Sequence, residues 1–423
     1  VKVVHFNTFD VEGGAARAAS RLHRALRGAG CDSELVVLQK RGDDPHTRRI
    51  VPSRWSTELR TEGAAALNKA LLFALRPDEA FSLDLRALSA PTRALRDAAR
   101  GADIVQLHWV RGLVSSVQLD ALAAGGRPIV WTLMDLAPMT GGCHYTHGCD
   151  RYTARCGRCP RIRSRRSWDA SRRTWRRRAR HYRRAPLTAV ACNRWTAERA
   201  RRSSLLAEVR CEIIPLPVDT ETFRPLDRCL AREILGLPRD ARLVFCGALD
   251  MAQARKGLRP LVEALGHLRH GAAAAGAPIM LVTAGRQDFG AREALPFPHH
   301  HLGLLGDDRS LALAYQAADL FVSPSLEDAG PMMVSEALAC GVPVAAFEVG
   351  SALDLVRPAE TGALAPLGDA AALARAMAEL LCDSVRREAF GRQARALAER
   401  ELAPGPVAAR YLTLYRELLG GEA

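Results

Sequence analysis

The sequence predicts an α/β protein made of two doubly wound parallel-sheet domains in tandem, and three observations predict it. Short apolar, β-branched runs alternate with stretches of helical periodicity along the chain, the pattern of strands joined by crossover helices. The alternation restarts after Pro215-Leu216-Pro217, a linker-like stretch. The length, 423 residues, exceeds what one hydrophobic core commonly serves.

In order, the first series reads as a strand at Val3–Asn7, a helix from about Ala15 to Ala29, and strands at Ser33–Leu38, Ile104–His108, Ile129–Met134, Leu187–Ala191 and Cys211–Ile214. The second reads as a strand at Leu243–Gly247, a helix over Gly257–His270, a strand at Ile279–Ala284, a helix near Ser310–Gln316, a strand at Leu320–Val322, a helix from about Met333 to Cys340 and a strand at Val344–Phe347. His299-His300-His301 suggests a metal site, but consecutive residues seldom converge on one ion, so it reads as a plain loop before a strand. The expected organisation is an acceptor-side domain over 1–214, a donor-side domain over 215–400, and a final helix within 401–423 that crosses back to the first. Two such sheets can face each other across a cleft at their carboxyl ends, where doubly wound folds bind ligands.

Composition narrows the class. With 48% apolar and 25% charged residues the chain is neither disordered nor a disulfide scaffold. The opening Val1–Asn7 run reads as a buried strand and not as a leader. No apolar run is long enough to span a bilayer, so a cytoplasmic location is expected, possible at the inner face of the membrane. The net charge of +14 is concentrated: residues 161–184 hold twelve arginines against one acid, Asp169, giving 12 − 1 = +11.

Two loops carry ligand chemistry. Gly13 and Gly14 follow the first strand and open the first helix, where a tight turn lets an anion approach free backbone N–H groups. Neither a Gly-x-Gly-x-x-Gly pattern nor a Gly-Lys-Ser/Thr loop is present, which counts against a dehydrogenase and a P-loop enzyme. The stronger constellation is Ser325-Leu-Glu327-Asp328-Ala-Gly330-Pro331-Met332-Met333 leading to Glu336 and Gly341-Val-Pro343. A loop carboxylate, Asp328, and a helix carboxylate eight residues on, Glu336, can hold two sets of hydroxyls on one ligand, while the N–H groups of Gly330, Met332 and Met333 face a phosphate.

These residues resemble the family 4 glycosyltransferases, nucleotide-sugar-dependent retaining enzymes of the GT-B fold with two Rossmann-like domains. Asp328 and Glu336 stand at the spacing of that family's two acids, and Arg255-Lys256-Gly257-Leu258 is similar to its donor-diphosphate turn. The stretches around Val4–Asp10, Gly13-Gly14, Asp103–Trp109, Trp131–Asp135, Thr140–Tyr145 and Ile214–Asp219 resemble a bacterial polysaccharide-type subgroup. The resemblance implies that Lys256, with Arg255, holds the diphosphate, that Asp328 binds sugar hydroxyls and Glu336 the ribose, and that transfer needs no catalytic metal. It places His108, Met134, Asp135 and His144 on the acceptor or sugar side.

Two departures matter. The arginine that often follows the first strand's glycine in the second domain is Ala248 here, so the clamp rests on Lys256 and Arg255. The subgroup's His-Asp is Met134-Asp135 here. That leaves a donor lacking the hydroxyl the histidine touches, a substitute such as His108 or His144, or impaired activity. The implied function is glycosyl transfer to a saccharide, lipid-linked or natural-product hydroxyl. The rivals are another GT-B enzyme such as a nucleotide-sugar epimerase, or a non-catalytic membrane- or nucleic-acid-binding protein on a transferase fold.

Four of the eleven cysteines, Cys143, Cys149, Cys156 and Cys159, cluster as C-x5-C-x6-C-x2-C, a spacing for structural zinc, with buried free thiols or disulfides and an iron–sulfur cluster as the alternatives. In the arginine element Trp168, Trp175 and Tyr182 are seven apart, which keeps them on one helical face. That face is expected to pack on the first domain with the arginines outward; an anionic membrane surface is the second reading. Nucleic acid is not expected, since no binding motif accompanies the charge.

Overall fold

A computed structural model describes residues 1–50, scattered positions between 63 and 75, and 81–271, 277–288, 294–330 and 332–421. The chain forms two compact units, Val1–Pro215 with Val407–Ala423, and Leu216–Pro406.

The first unit holds β1 (Lys2–Phe9), β2 (Asp32–Gln39), β3 (Thr47–Arg49), β4 (Ile104–Leu107), β5 (Ile129–Leu133), β6 (Leu187–Ala191) and β7 (Arg210–Ile213). They lie in the order β3-β2-β1-β4-β5-β6-β7, every pairing parallel. The second unit holds β8 (Arg242–Gly247), β9 (Ile279–Ala284), β10 (His299–His301), β11 (Leu320–Ser323), β12 (Val344–Phe347) and β13 (Gly362–Ala365). Their order is β10-β9-β8-β11-β12-β13, again all parallel. Strands β4, β5, β6, β11 and β12 are buried at every position. Helices cover both faces of such a sheet, which is why these strands read as continuous apolar runs. Each sheet reverses direction of winding once, between β1 and β4 and between β8 and β11, and ligands of doubly wound sheets sit beyond the carboxyl ends at that point.

Three features differ from the sequence reading. His299–His301 is a strand, not a loop, paired in register with Leu281–Thr283; three polar residues on a sheet edge carry no periodic signal, and pairing with β9 decides their state. The edge strands β3 and β13 escape notice for the same reason. In the arginine element the helix spans only Ala170–Tyr182, because Asp169 caps it by accepting from Arg172 N. Trp168 therefore lies outside it and is 47% exposed. The buried stripe is Ser171, Thr174, Arg178 and Tyr182, and Arg178 points inward, donating to Thr140 O at 2.9 Å. Arginines outward is thus corrected at Arg178, whose guanidinium satisfies loop carbonyls.

The last helix, Pro404–Leu418, buries Val407, Tyr411, Leu414 and Tyr415 against β1, β4, β5 and β6 of the first unit. Tyr411 Oη meets Thr132 Oγ1 at 2.9 Å and Tyr415 Oη donates to Gln106 Oε1 at 2.9 Å. Gln106 Nε2 donates to Thr132 Oγ1 at 2.7 Å, so each of these buried polar groups has a partner.

Candidate active site

In the second unit the site starts from a glycine. Gly257 ends the turn Ala254–Lys256 with φ 73°, and a Cβ there would fall 1.8 Å from Pro324 O. Only glycine lets the turn lie against the end of β11. Arg255 O then accepts from Leu326 N at 2.7 Å and Glu327 N at 3.3 Å, fixing the acidic loop on the basic turn. As a result Lys256 Nζ lies 2.5 Å and Arg255 Nη1 3.6 Å from Asp328 Oδ2, and Gly330 N donates to Oδ1 at 3.2 Å. Burial by itself would push the Asp328 carboxyl up, but the charges of Lys256 and Arg255 and these hydrogen bonds hold it below its ordinary value.

Glu336 is buried on the helix Met332–Ala339, not on a solvated face. Tyr315 Oη donates to its Oε2 at 3.1 Å, and the Tyr315 ring is held edge-on by Phe223, Phe245 and Phe321. Met333 lies over the end of β8: a Cβ at Gly247 would be 3.0 Å from its Cε. Met332 is half-buried beside it in sequence. The unit therefore brings Arg255, Lys256, Asp328 and Gly330 together around one carboxylate at the sheet's reversal point. Two cations there can take an anion, and the carboxylates can take hydroxyls.

In the first unit Gly13 caps the helix Gly14–Gly28 with φ 87° and ψ 167°, backbone that only glycine adopts freely. The loop before it is tied down through Asp10, whose carboxylate accepts from Arg41 N and Gly42 N, each at 2.8–2.9 Å. Beyond the ends of β1 and β4 lies a cavity of about 890 Å³ lined by Phe9, Trp109, Arg111, Asp135, His144 and Arg178 among others. Asp135 Oδ2 accepts from Trp109 Nε1 at 2.8 Å and pairs with His144 Nδ1 at 2.5 Å. His144 Nε2 is 2.7 Å from Ser82 Oγ. A carboxylate on Nδ1 makes that nitrogen the donor and leaves Nε2 as an acceptor, here for the Ser82 hydroxyl. Burial would raise the Asp135 carboxyl, but His144, Ala137 N and Trp109 hold it low.

The other two acceptor-side candidates stand differently. Met134 is half-buried and does not line the cavity. His108 lines it, but its Nε2 is 2.9 Å from His5 Nδ1 and the two rings stack. Burial, with His23 nearby, pushes the His108 pKa down to about 3, so it stays neutral. Of the two histidines weighed as substitutes for the missing one, His144 has the oriented, charged support. Sequence reasoning gave no role to Ser82, Arg111, Trp109 or Tyr315. Trp109 was findable, since it stands two residues past β4 at the reversal point; Ser82 and Tyr315 carry no motif.

Cys143, Cys149, Cys156 and Cys159 all line one small cavity of about 10 Å³. Between the last two, Gly157 has φ 138° and Arg158 φ 46°, a tight knuckle of backbone. Gly141 N donates to Cys156 Sγ at 3.2 Å. Burial pushes the Cys156 thiol up to about 12 and Cys143 higher still. The sulfurs surround the cavity without closing on a point. Among the described residues the group that brings three metal-capable atoms within 4.8 Å of one another is Asp288, His299 and His301.

Two tandem Rossmann-like parallel sheets, with a basic turn docked on an acid-x7-acid loop and helix in the second, define a glycosyltransferase of the GT-B class. The chain belongs to glycosyltransferase family 4: the model described as Glycosyltransferase Family 4 matches residues 12–222, and that described as Glycosyl transferases group 1 matches 240–383. It is 29% identical over 406 residues to the 2-deoxystreptamine N-acetyl-D-glucosaminyltransferase of Streptomyces fradiae, covering 89% of this chain and 85% of that one. It is 32% identical over 223 residues to the D-inositol 3-phosphate glycosyltransferase of Xylanimonas cellulosilytica, covering 49% of this chain and 51% of that protein. Against this relative and the mannosyltransferases of Mycobacterium leprae and Corynebacterium glutamicum, the chain spans about half the length of the curated protein it matches. Among solved structures, the fold resembles sucrose-phosphate synthase of Thermosynechococcus elongatus (20% identical, TM-score 0.65, 99% and 100% of the two chains). It also resembles Anabaena HepE in complex with UDP and glucose (16% identical, TM-score 0.64, 98% of each chain).

Proposed function

We propose that this chain transfers a glycosyl group, with retention, from a nucleoside diphosphate sugar to a hydroxyl of a polyol or saccharide acceptor. The observation that carries the reading is the pairing of Lys256 and Arg255 with Asp328 at the second sheet's reversal point, eight residues before the buried Glu336. Lys256 and Arg255 hold the diphosphate, Asp328 the sugar hydroxyls and Glu336 the ribose. In the second unit the N–H groups of Gly330, Met332 and Met333 supply further donors to phosphate oxygens, and in the first the glycine loop at Gly13 and Gly14 opens helix N–H groups suited to an anion. The cavity of the first unit takes the acceptor, with the Asp135–His144 pair as part of its polar lining.

In the reaction the bond from the anomeric carbon to the diphosphate oxygen breaks as the acceptor oxygen bonds to that carbon on the same face. The acceptor proton passes to the leaving diphosphate. Lys256, Arg255 and the backbone donors stabilise the charge that develops there. The UDP-glucose bound by Anabaena HepE, and the inositol phosphate and 2-deoxystreptamine in the relatives' names, support this class of substrates. The test is a thermal-shift screen of nucleoside diphosphate sugars followed by product detection. One donor is expected to raise the melting temperature and to be consumed faster when an acceptor hydroxyl is present. Absence of any shift across the common uridine, guanosine and thymidine diphosphate sugars overturns the reading.

We also infer that Cys143, Cys149, Cys156 and Cys159 close on a structural zinc ion. The fit rests on four thiols around one cavity, the Gly157–Arg158 knuckle, and N–H groups aimed at sulfur, which favour thiolate. Four thiolates leave no open position, so the ion's work is to cross-link the segment and not to take part in transfer. The protein as purified is expected to hold about one zinc, and Cys156→Ser to lower the melting temperature while donor affinity stays unchanged. Elemental analysis finding no zinc in unchelated protein removes the proposal.

A further inference from the structure

We propose that Asp288, His299 and His301 bind one divalent transition-metal ion of the zinc, cobalt or nickel class at the edge of the second unit's sheet. The site is separate from the cysteine cavity, which lies in the other unit. β10 ends the sheet, and side chains along a strand alternate between faces. His299 and His301 therefore share a face, while His300 takes the opposite one. The objection that consecutive residues do not converge applies to His300 alone.

On the neighbouring strand Thr283 stands in register with His301. Its hydroxyl oxygen lies 2.7 Å from His299 Nε2 and 2.9 Å from His301 Nδ1. One hydroxyl can donate to one ring and accept from the other, so Thr283 orients both imidazoles, as the outer partners of metal-bound histidines do. Asp288, four residues past the end of β9, brings Oδ1 to 3.7 Å from His299 Nδ1. One ligand atom from each of the three residues lies within 4.8 Å of the others. An ion about 2.0–2.2 Å from each needs only side-chain rotation to seat.

Two imidazoles and one carboxylate form a donor set for borderline ions, with a coordination position left for water. Such an ion would pin the segment following β9 to the edge strand. It lies outside the Lys256–Asp328–Glu336 group, so the proposal stands whether or not that group holds a nucleotide sugar.

The probe is Co²⁺, titrated into the full chain with whatever its cysteines carry left in place. The expected result is one equivalent bound with the visible absorption of cobalt in a nitrogen–oxygen set and no added thiolate-to-cobalt charge-transfer band. Asp288→Asn and His301→Ala should each weaken that binding by roughly tenfold or more, and Thr283→Val by about tenfold, the effect of losing an outer partner. Cys156→Ser should leave it unchanged. Asp288 has a side chain 42% exposed, so its variant folds even if His301→Ala does not. Two outcomes overturn the proposal: cobalt appearing only in the thiolate band, or Asp288→Asn binding it as the wild type does.

Discussion

Asp319→Ala is expected to destabilise the second unit by about 3–5 kcal/mol, the cost of breaking a buried ion pair from one side. Asp319 sits just before β11 with a side chain 2% exposed. Its Oδ2 accepts from Arg232 Nη2 at 2.7 Å and from Leu243 N at 2.8 Å, and its Oδ1 from Arg228 Nη1 at 3.0 Å. Arg387 Nε lies 3.7 Å away. One carboxylate therefore ties the helices Arg228–Ile234 and Ser384–Leu397 to the starts of β8 and β11. Removing it leaves the guanidinium groups of Arg232 and Arg387, 5% and 2% exposed, without their counter-charge. Burial already lowers the Arg387 pKa against the pull of Asp319. Asp319→Asn keeps an acceptor for Leu243 N and should lose less. Urea unfolding of the full chain measures this, and with two units the transition of the second is the one that should move. A loss of less than about 1 kcal/mol in Asp319→Ala would show that the carbonyls already accepting from Arg232 and Arg387 suffice once the carboxylate is gone.

The same cluster marks what the sequence could and could not tell. Strands such as Ile129–Leu133 and Val344–Phe347 are legible because burial on both faces leaves an unbroken apolar run, and Gly257 and Asp328 because their spacing is specific. Asp319 follows two alanines in an ordinary helix-to-strand turn, and nothing local says that three arginines from distant segments converge on it. The unit 1 cavity has the same character. Asp135 and His144 stand nine residues apart with a motif around them, but their partner Ser82 comes from a segment with no pattern, and the pairing exists only through the fold. The histidine strand was misread because an edge of three residues gains its conformation from the neighbour it pairs with. In the arginine helix, seven-residue spacing was a true regularity that the cap at Asp169 cuts off before Trp168.

Lys256→Ala and Glu336→Gln are each expected to reduce transfer roughly ten- to a hundredfold, corresponding to about 1.5–3 kcal/mol for a lost charge-assisted contact. In the proposed site the two would act on different parts of the donor. Lys256 Nζ is held 2.5 Å from Asp328 Oδ2, an arrangement in which the ammonium is already oriented and desolvated before a diphosphate arrives. Truncating it should weaken binding of the free nucleoside diphosphate and of the donor alike, raising KM. Arg255, 3.6 Å from the same oxygen, serves as the comparison and should cost less. Glu336→Gln retains an oxygen that can accept from Tyr315 Oη, so the buried contact at 3.1 Å survives and the fold with it. What it loses is the charge that would bind two ribose hydroxyls, and nucleoside affinity should fall while a ribose-free diphosphate is held as before. Asp328→Asn is expected to lower kcat more than nucleotide affinity, because its assigned contact is to the sugar. The measurements are transfer with the best donor from the screen and calorimetric binding of the matching nucleoside diphosphate. If Lys256→Ala and Glu336→Gln both bind that nucleotide as the wild type does, the carboxylate–lysine group is a structural pair, and the donor site must be sought elsewhere in the chain.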